Sequence, residues 1–513
     1  MGFELKKVEE VVQSAVNHNW GVPEFQRGFV WTRQKVRDLL ESLWLQYPVG
    51  SFLLWYAPED VEPRTIADGA QPTGWLVDGQ QRSTALCLLF GRKPYWWGTD
   101  WNDVLDRHDI RYNVLADEAP YFQLASNAVK NDPKWVNVRK VLNADDEELS
   151  ELAQQVVIGL SLAPSAFGKL YSKLDRLRRV RSVELPVVTV ALDLEDVTEI
   201  FSRLNSAGTK VTEADIALAL AASQNPGWAR NHFLPFIEEL GDAGFEVDPN
   251  LVFRSMVSIG LGKAQLREVP RGYWSSNELA GHWKKTKDAW QRTIVYLEER
   301  GVLSDEILPT KNALIPLVVL VERYPRALAD GRAFGWLLHA TRAGRYGGSA
   351  ITALQTDVRT VIEANDLATA LDGLHRKLPA WESFQALDFM VDYKDRVTRL
   401  FLYLLMFSRG ARDWITNQRL GFNGVELLER FNPQWHHIYP RAYLRAQHVP
   451  EEKWDLFANI AVISPTTNIK IGAQSPLQYI TKYNINNERL AEQLIDYAPE
   501  KLTVEAGGVP FAV

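Results

Sequence analysis

A single cysteine, Cys87, stands in a chain of 513 residues. That scarcity excludes an intrachain disulfide and any four-cysteine zinc site, and it fits a reducing compartment. Long hydrophobic runs are missing as well. ALIPLVVLV from Ala313 and LFLYLLMF from Leu400 are the longest, well short of the roughly 20 residues that cross a bilayer. The start, MGFELKKVEE, has neither the apolar stretch nor the small-residue cleavage site of a secretory signal, so a soluble, cytoplasmic protein is expected. Positive charge is not in excess. The net charge of −7 argues against a passive, nonspecific nucleic-acid coat. Neither GxxxxGKS nor GxxxxGKT occurs, so a nucleotide would not sit in a Walker-type loop. Internal repeats, low-complexity tracts and long Gly/Ser linkers are also lacking.

What is present is the composition of a folded protein: 46% apolar residues, 24% charged, and 18 Trp. The length exceeds the roughly 250–300 residues at which single cores stop growing. Domains are therefore expected over 1–221, 222–410 and 411–513. Charge is uneven along them. Residues 169–181 (KLYSKLDRLRRVR) set a run of bases against Asp175 alone, and residues 391–450 hold nine bases against five acids.

Local patterning predicts an α/β unit at the N-terminus. TRQKVRDLLESLWLQYP (32–48) spaces Val36, Leu39, Leu40, Leu43 and Trp44 helically, begins on a Thr cap and stops at Pro48. SFLLWY (51–56) and GWLV (74–77) are short enough for buried strands, and the β-branched VELPVVTVAL (183–192) is a third, expected to close the sheet. Residues 193–223 read as helix, loop and helix, the first ending at Gly208 and the second capped by Thr212 and Asp215. Amphipathic helices dominate 225–410, and the tail turns to short strands. The fold class expected is α+β, largely helical.

Two strings of this α/β unit carry chemistry. EFQRGFVW (24–31) faces LVDGQQRSTALCLLF (76–90), in which a strand ends at a tight Asp78-Gly79 turn and a helix runs from Ser83. Free N–H groups at that helix start could hold a phosphate, Arg82 could grip one through two nitrogens, Gln80 and Gln81 could bond a base or sugar, and Asp78 could bind a metal or orient water. Together with EIFSRLNSAGTKVTEADI, these strings resemble the N-terminal domain of GmrSD-type modification-dependent restriction enzymes, a ParB-like fold, over about the first 220 residues. The resemblance implies binding and hydrolysis of a nucleoside triphosphate, GTP or ATP. Asp78 and Arg82 would act in hydrolysis, with Gln26, Arg27, Gly79, Gln80, Gln81 and Asn205 around the nucleotide. Asn205 and Gly208 match the third motif. It also implies sensing of modified phage DNA.

Near the C-terminus, WHHIYP (435–440) holds adjacent histidines on an extended segment, which puts their side chains on opposite faces. An HH pair alone carries little. Asn459 before a strand and Asn468 at the start of a helix give it the logic of a ββα-metal site, in which two side chains hold a divalent ion and a neutral imidazole takes a proton from water. WHHIYPRAYL and ANIAVISPTTNIKIG resemble an HNH nuclease domain over about residues 415–485. By that resemblance His437 is the general base, Asn459 supports it, and His436 and Asn468 hold Mg²⁺ or Mn²⁺, with Lys470 near the phosphate. Gln434 and Trp435 stand where relatives carry an acid. The expectation is a double-stranded-DNA endonuclease gated by its N-terminal domain, with a homo-oligomer left open. The alternatives are a ParB-like, nucleotide-switched DNA-binding regulator with a degenerate nuclease domain, and a toxin-like RNase.

Overall fold

The computed structural model describes residues 2–24, 26, 28–57, 72–98, 100–192, 196–197, 200, 213–274, 277–348, 350–420 and 434–495. Helices predominate and the sheets are small, a mixed α and β chain. It divides into two compact units, residues 1–233 and 234–513.

The first unit is built on a mixed five-stranded sheet. Its strands are β1 (Gly2–Lys7), β2 (Trp20–Gly21), β3 (Phe52–Trp55), β4 (Gly74–Asp78) and a strand at Glu184–Val190. The order is β1, Glu184–Val190, β3, β4, β2. Both neighbours of Glu184–Val190 are paired strands, β1 antiparallel and β3 parallel, so this strand is internal where a closing position was expected. The reason is β1, a polar-looking segment whose backbone pairs with that strand from Glu184 to Thr189. The continuous apolar runs of β3 and β4 follow from burial on both faces. Phe52, Leu54 and Leu76 enter the main core, while Leu53, Trp55, Trp75 and Val77 enter a smaller one with Val190.

Helix α1 (Val8–Val16), α2 (Arg33–Trp44) and α3 (Gln80–Phe90) pack into the main core. Thr32 caps α2 through its side chain, as its position predicts, but the helix ends at Trp44, ahead of Pro48. Helix α3 starts three residues earlier than expected, because Gly79 adopts φ 102° and turns the chain directly from strand into helix. Gln80, Gln81 and Arg82 thus form its first turn. From Ser83 to Phe90 every residue is buried, as befits a helix apolar on all sides. Trp96 and Trp101 belong to the same core, so these tryptophans are packing residues. A second antiparallel sheet, β5 (Ile110–Asn113) between Phe122–Leu124 and Trp135–Asn137, was not legible in the sequence.

In the second unit, helices Pro249–Leu261, Glu278–Glu298 and Ala350–Glu363 pack around Leu314–Arg323, which is buried from Leu314 through Val321. At the C-terminal end the strands Gln434–His437 and Ile460–Ile463 pair antiparallel, and the helix Pro465–Ile471 follows. Ser464 caps that helix, so Asn468 lies inside it, one turn on from its start. The ββα segment has a core of its own, with Trp414, Ile438, Tyr439, Ala461, Ile471 and Tyr479 among its members.

Candidate functional site

The DGQQR string is the corner between β4 and α3. Asp78 ends the strand, and Arg82, one helical turn later, pairs with its Oδ2 at 2.7 Å. The same guanidinium donates to the carbonyls of Val49 at 2.9 Å and Ser51 at 2.7 Å, and lies 5.2 Å from the Phe52 ring centroid. A side chain on Gly50 (φ 85°) would overlap Arg82 Nη1, and one on Gly79 would overlap the Phe52 ring.

Gln81 reaches across to the other motif, donating to Gly28 O at 2.9 Å and accepting from Val30 N at 2.8 Å. From that motif Gln26 donates to the carbonyls of Leu76 (2.5 Å) and Val77 (2.9 Å) in β4. Gln80 is buried and Glu24 caps the chain at Gly227 and Arg230. The two strings therefore meet, as their chemistry required. Arg82 and Gln81 bond protein groups, which leaves the amides of the first turn of α3 as the group best suited to an anion. Arg27, Asn205 and Gly208 lie outside the described residues.

The paired histidines are split by their strand. His436 turns inward, 5% exposed, edge-on to the rings of Trp414 and Tyr479. Its Nδ1 is 2.9 Å from Asn468 Oδ1. Its Nε2 is buried with no hydrogen-bond partner among the described residues. Burial draws this imidazole down to about 4, so it is neutral at pH 7.

His437 faces the other way, with Nε2 at 2.8 Å from Asp455 Oδ1 and the Tyr393 ring edge-on at 5.5 Å. Burial lowers its pKa below the usual histidine value, against an upward pull from Asp455. Asp455 also accepts from Arg441, at 3.0 Å to Oδ1 and 2.5 Å to Oδ2. Burial alone would raise this carboxyl, but Arg441 and His437 together hold it below its ordinary value.

Asn459 is fully buried and acts on the backbone. Its Oδ1 accepts from Tyr439 N at 2.8 Å, and its Nδ2 donates to Tyr439 O (3.2 Å) and Trp454 O (2.8 Å). Its own carbonyl takes Ile438 N at 2.8 Å. It fixes the chain that leaves His437 and makes no bond to the ring. Lys470 is exposed on the helix that carries Asn468.

A divalent ion fits His436 and Asn468 only through Nδ1 and Oδ1, which face each other at 2.9 Å; the buried Nε2 on the far edge of the ring would then carry the proton. Among the described residues no cluster of three or more His, Cys, Asp or Glu is placed to hold a metal.

Residues 8–222 match the GmrSD restriction endonuclease, N-terminal domain. That stretch contains Gln26 and the whole Asp78–Arg82 corner, and the matched family is one of restriction endonucleases. The chain is also similar to the uncharacterized protein MJ0686 of Methanocaldococcus jannaschii, 22% identical over 539 aligned residues that cover 94% of this chain and 87% of that protein. The GmrSD match stops well before the ββα segment, whose chemistry rests on its own geometry. No helix among the described residues is long and apolar enough to cross a membrane.

Sequence reasoning missed Asp455 and Asp413. Asp413 is buried and accepts from Ser464 N and Thr467 Oγ1, both at 2.6 Å, and from Thr416 N at 2.7 Å, tying its loop to the start of the helix that bears Asn468. Its one signal was an acid just before Trp414, indistinguishable from any other. Asp455, four residues before Asn459, gave none.

Proposed function

We propose that this chain is a restriction-type DNA endonuclease that cuts at His437 under the control of its N-terminal domain. The observation that carries the reading is the pairing of His436 Nδ1 with Asn468 Oδ1 at 2.9 Å, beside a second histidine aimed the opposite way. On this reading the HH pair is a ligand, His436, and a base, His437.

His437 stays neutral at pH 7 because burial disfavours its charged form, so it can accept a proton from a water attacking a phosphodiester. His436 and Asn468 would hold Mg²⁺ or Mn²⁺, and the ion when bound supplies charge neutralisation at the scissile phosphate. Asn459 sets the direction in which His437 leaves its strand, and Lys470 stands exposed on the same helix as Asn468, available to phosphate.

The N-terminal reading rests on the corner at Asp78 to Arg82 and on the GmrSD match. There a GTP or ATP would be bound and hydrolysed, its phosphates at the amides of Gln80 to Arg82, with Asp78, Arg82, Gln26, Arg27 and Asn205 about it. Domains over 1–221, 222–410 and 411–513 would then sense DNA, connect and cut. The partner is double-stranded DNA, with modified phage DNA as the preferred target.

One panel tests this. Wild type and His437→Ala are incubated with glucosylated, methylated, phosphorothioated and plain DNA, with Mg²⁺ or Mn²⁺ and each nucleotide. The expected result is cutting by wild type alone, on at least one modified DNA. Equal nicking by both proteins in every condition sinks the nuclease assignment.

A further inference from the structure

Asp455 lies in no motif of the sequence, yet it is the side chain that the base His437 touches. The contact is one well-formed bond, His437 Nε2 to Asp455 Oδ1 at 2.8 Å. The carboxylate is not free to turn away. Arg441 grips both of its oxygens, and its backbone is pinned where Tyr393 N donates to Asp455 O at 2.8 Å. The neighbouring turn is closed by Asn459 N on Leu456 O at 2.8 Å.

A neutral imidazole has one N–H and one lone pair, and which nitrogen carries which is set by its surroundings. An ionised carboxylate accepts only, so the nitrogen facing Asp455 must be the one bearing hydrogen. We propose that Asp455 is the positioning residue of the nuclease site: it holds His437 as the Nε2–H tautomer and leaves the Nδ1 lone pair to the attacking water. This rests on the reading of His437 as the base.

The division of labour with Asn459 is then clear. Asn459 fixes the main chain at Tyr439, and Asp455 fixes the ring, which the main chain alone leaves able to flip. Arg441, half exposed, is the outer clamp on the carboxylate. In the proton-transfer step Nδ1 takes a proton from water, Nε2 keeps its own, and the resulting imidazolium lies against a carboxylate that stays ionised. Removing Asp455 lets the ring populate the wrong tautomer and rotamer without removing the base.

The test uses the full chain, Mn²⁺ and whichever DNA the wild type cuts. Asp455→Asn, which is isosteric, should lower kcat by roughly 10- to 1,000-fold with KM unchanged. Combining it with His437→Ala should give a protein no slower than His437→Ala alone, since both changes act on one group. Asp455→Glu should regain part of the loss. Histidine-selective ¹⁵N labelling, with the His437 signal assigned by its absence in His437→Ala, should show protonated Nε2 and unprotonated Nδ1 in the wild type and a mixture in Asp455→Asn.

Three outcomes overturn the proposal: wild-type kcat in both Asp455→Asn and Asp455→Ala, a change in KM alone, or a His437 tautomer that is the same with and without the carboxylate. If His437→Ala is inactive while Asp455→Asn is normal, the nuclease reading stands and the positioning role falls. If His437→Ala cuts like the wild type, both fall. Thermal melting of each variant separates a lost fold from a misplaced ring.

Discussion

His436 Nδ1 and Asn468 Oδ1 meet at 2.9 Å although 32 residues separate them in the chain. One lies on the strand Gln434–His437 and the other within the helix Pro465–Ile471, so the contact exists only when the hairpin and the helix have packed. Opposite Asn468, the second ring nitrogen of His436 is buried and unpartnered among the described residues.

Two neutral donor atoms facing each other, His436 Nδ1 and Asn468 Oδ1, predict stoichiometric Mn²⁺ binding. Titration calorimetry on the full chain should show one site. His436→Ala and Asn468→Ala should each weaken it at least about tenfold. Affinity unchanged in both variants would place the ion elsewhere.

Asn459 supplies a second prediction, about stability. Its side chain makes three hydrogen bonds to backbone at a site with no exposure. Asn459→Ala leaves a buried N–H and two carbonyls unpaired, a loss of about 3–9 kcal/mol on the scale of about 1–3 kcal/mol for each unsatisfied group. Denaturant unfolding measures it, and a loss below about 1 kcal/mol would show that Tyr439 is held by other means.

Asp413 makes the fold sensitive to acid. Burial pushes its carboxyl up, but the bonds from Ser464, Thr467 and Thr416 outweigh that and hold it below the ordinary aspartate value. A carboxyl depressed in the folded state stabilises fully above its unfolded pKa, about 3.9, and loses that contribution as pH falls through the lower folded value. Asp413→Asn should therefore be less stable than wild type at pH 7, and the gap should shrink below about pH 4. Melting curves from pH 7 to pH 2 read this out. A gap that stays constant across the range would mean Asp413 titrates as an ordinary aspartate.

At the N-terminal corner the prediction concerns Arg82. Its two terminal nitrogens serve three protein acceptors, Asp78, Val49 and Ser51. Arg82→Lys keeps the charge and loses the fork, so it should cost about 1–3 kcal/mol in unfolding experiments. Gly79→Ala should cost about as much, because φ 102° is closed to side chains and Phe52 occupies the space. If Arg82→Lys loses nucleotide turnover with full stability, Arg82 serves the nucleotide and not the corner.

The sequence by itself determined much of this protein. Thr32 announced α2, the runs at 51–56 and 74–77 announced buried strands, and one cysteine removed whole classes of chemistry. Hydrophobic period and capping are local, so they can be read locally. The alternation of His436 and His437 followed from strand geometry alone. What lay beyond it were the partners. Strand β1 is polar to the eye and became the edge of the sheet because Glu184 to Thr189 offered it a continuous ladder. Asp455 and Asp413 are ordinary acids in sequence, and only packing brought one against His437 and sent the other under the helix of Asn468. Hydrogen bonds between side chains distant in sequence leave no periodic trace in the residues that make them, so tertiary structure alone decided that His437 had a carboxylate.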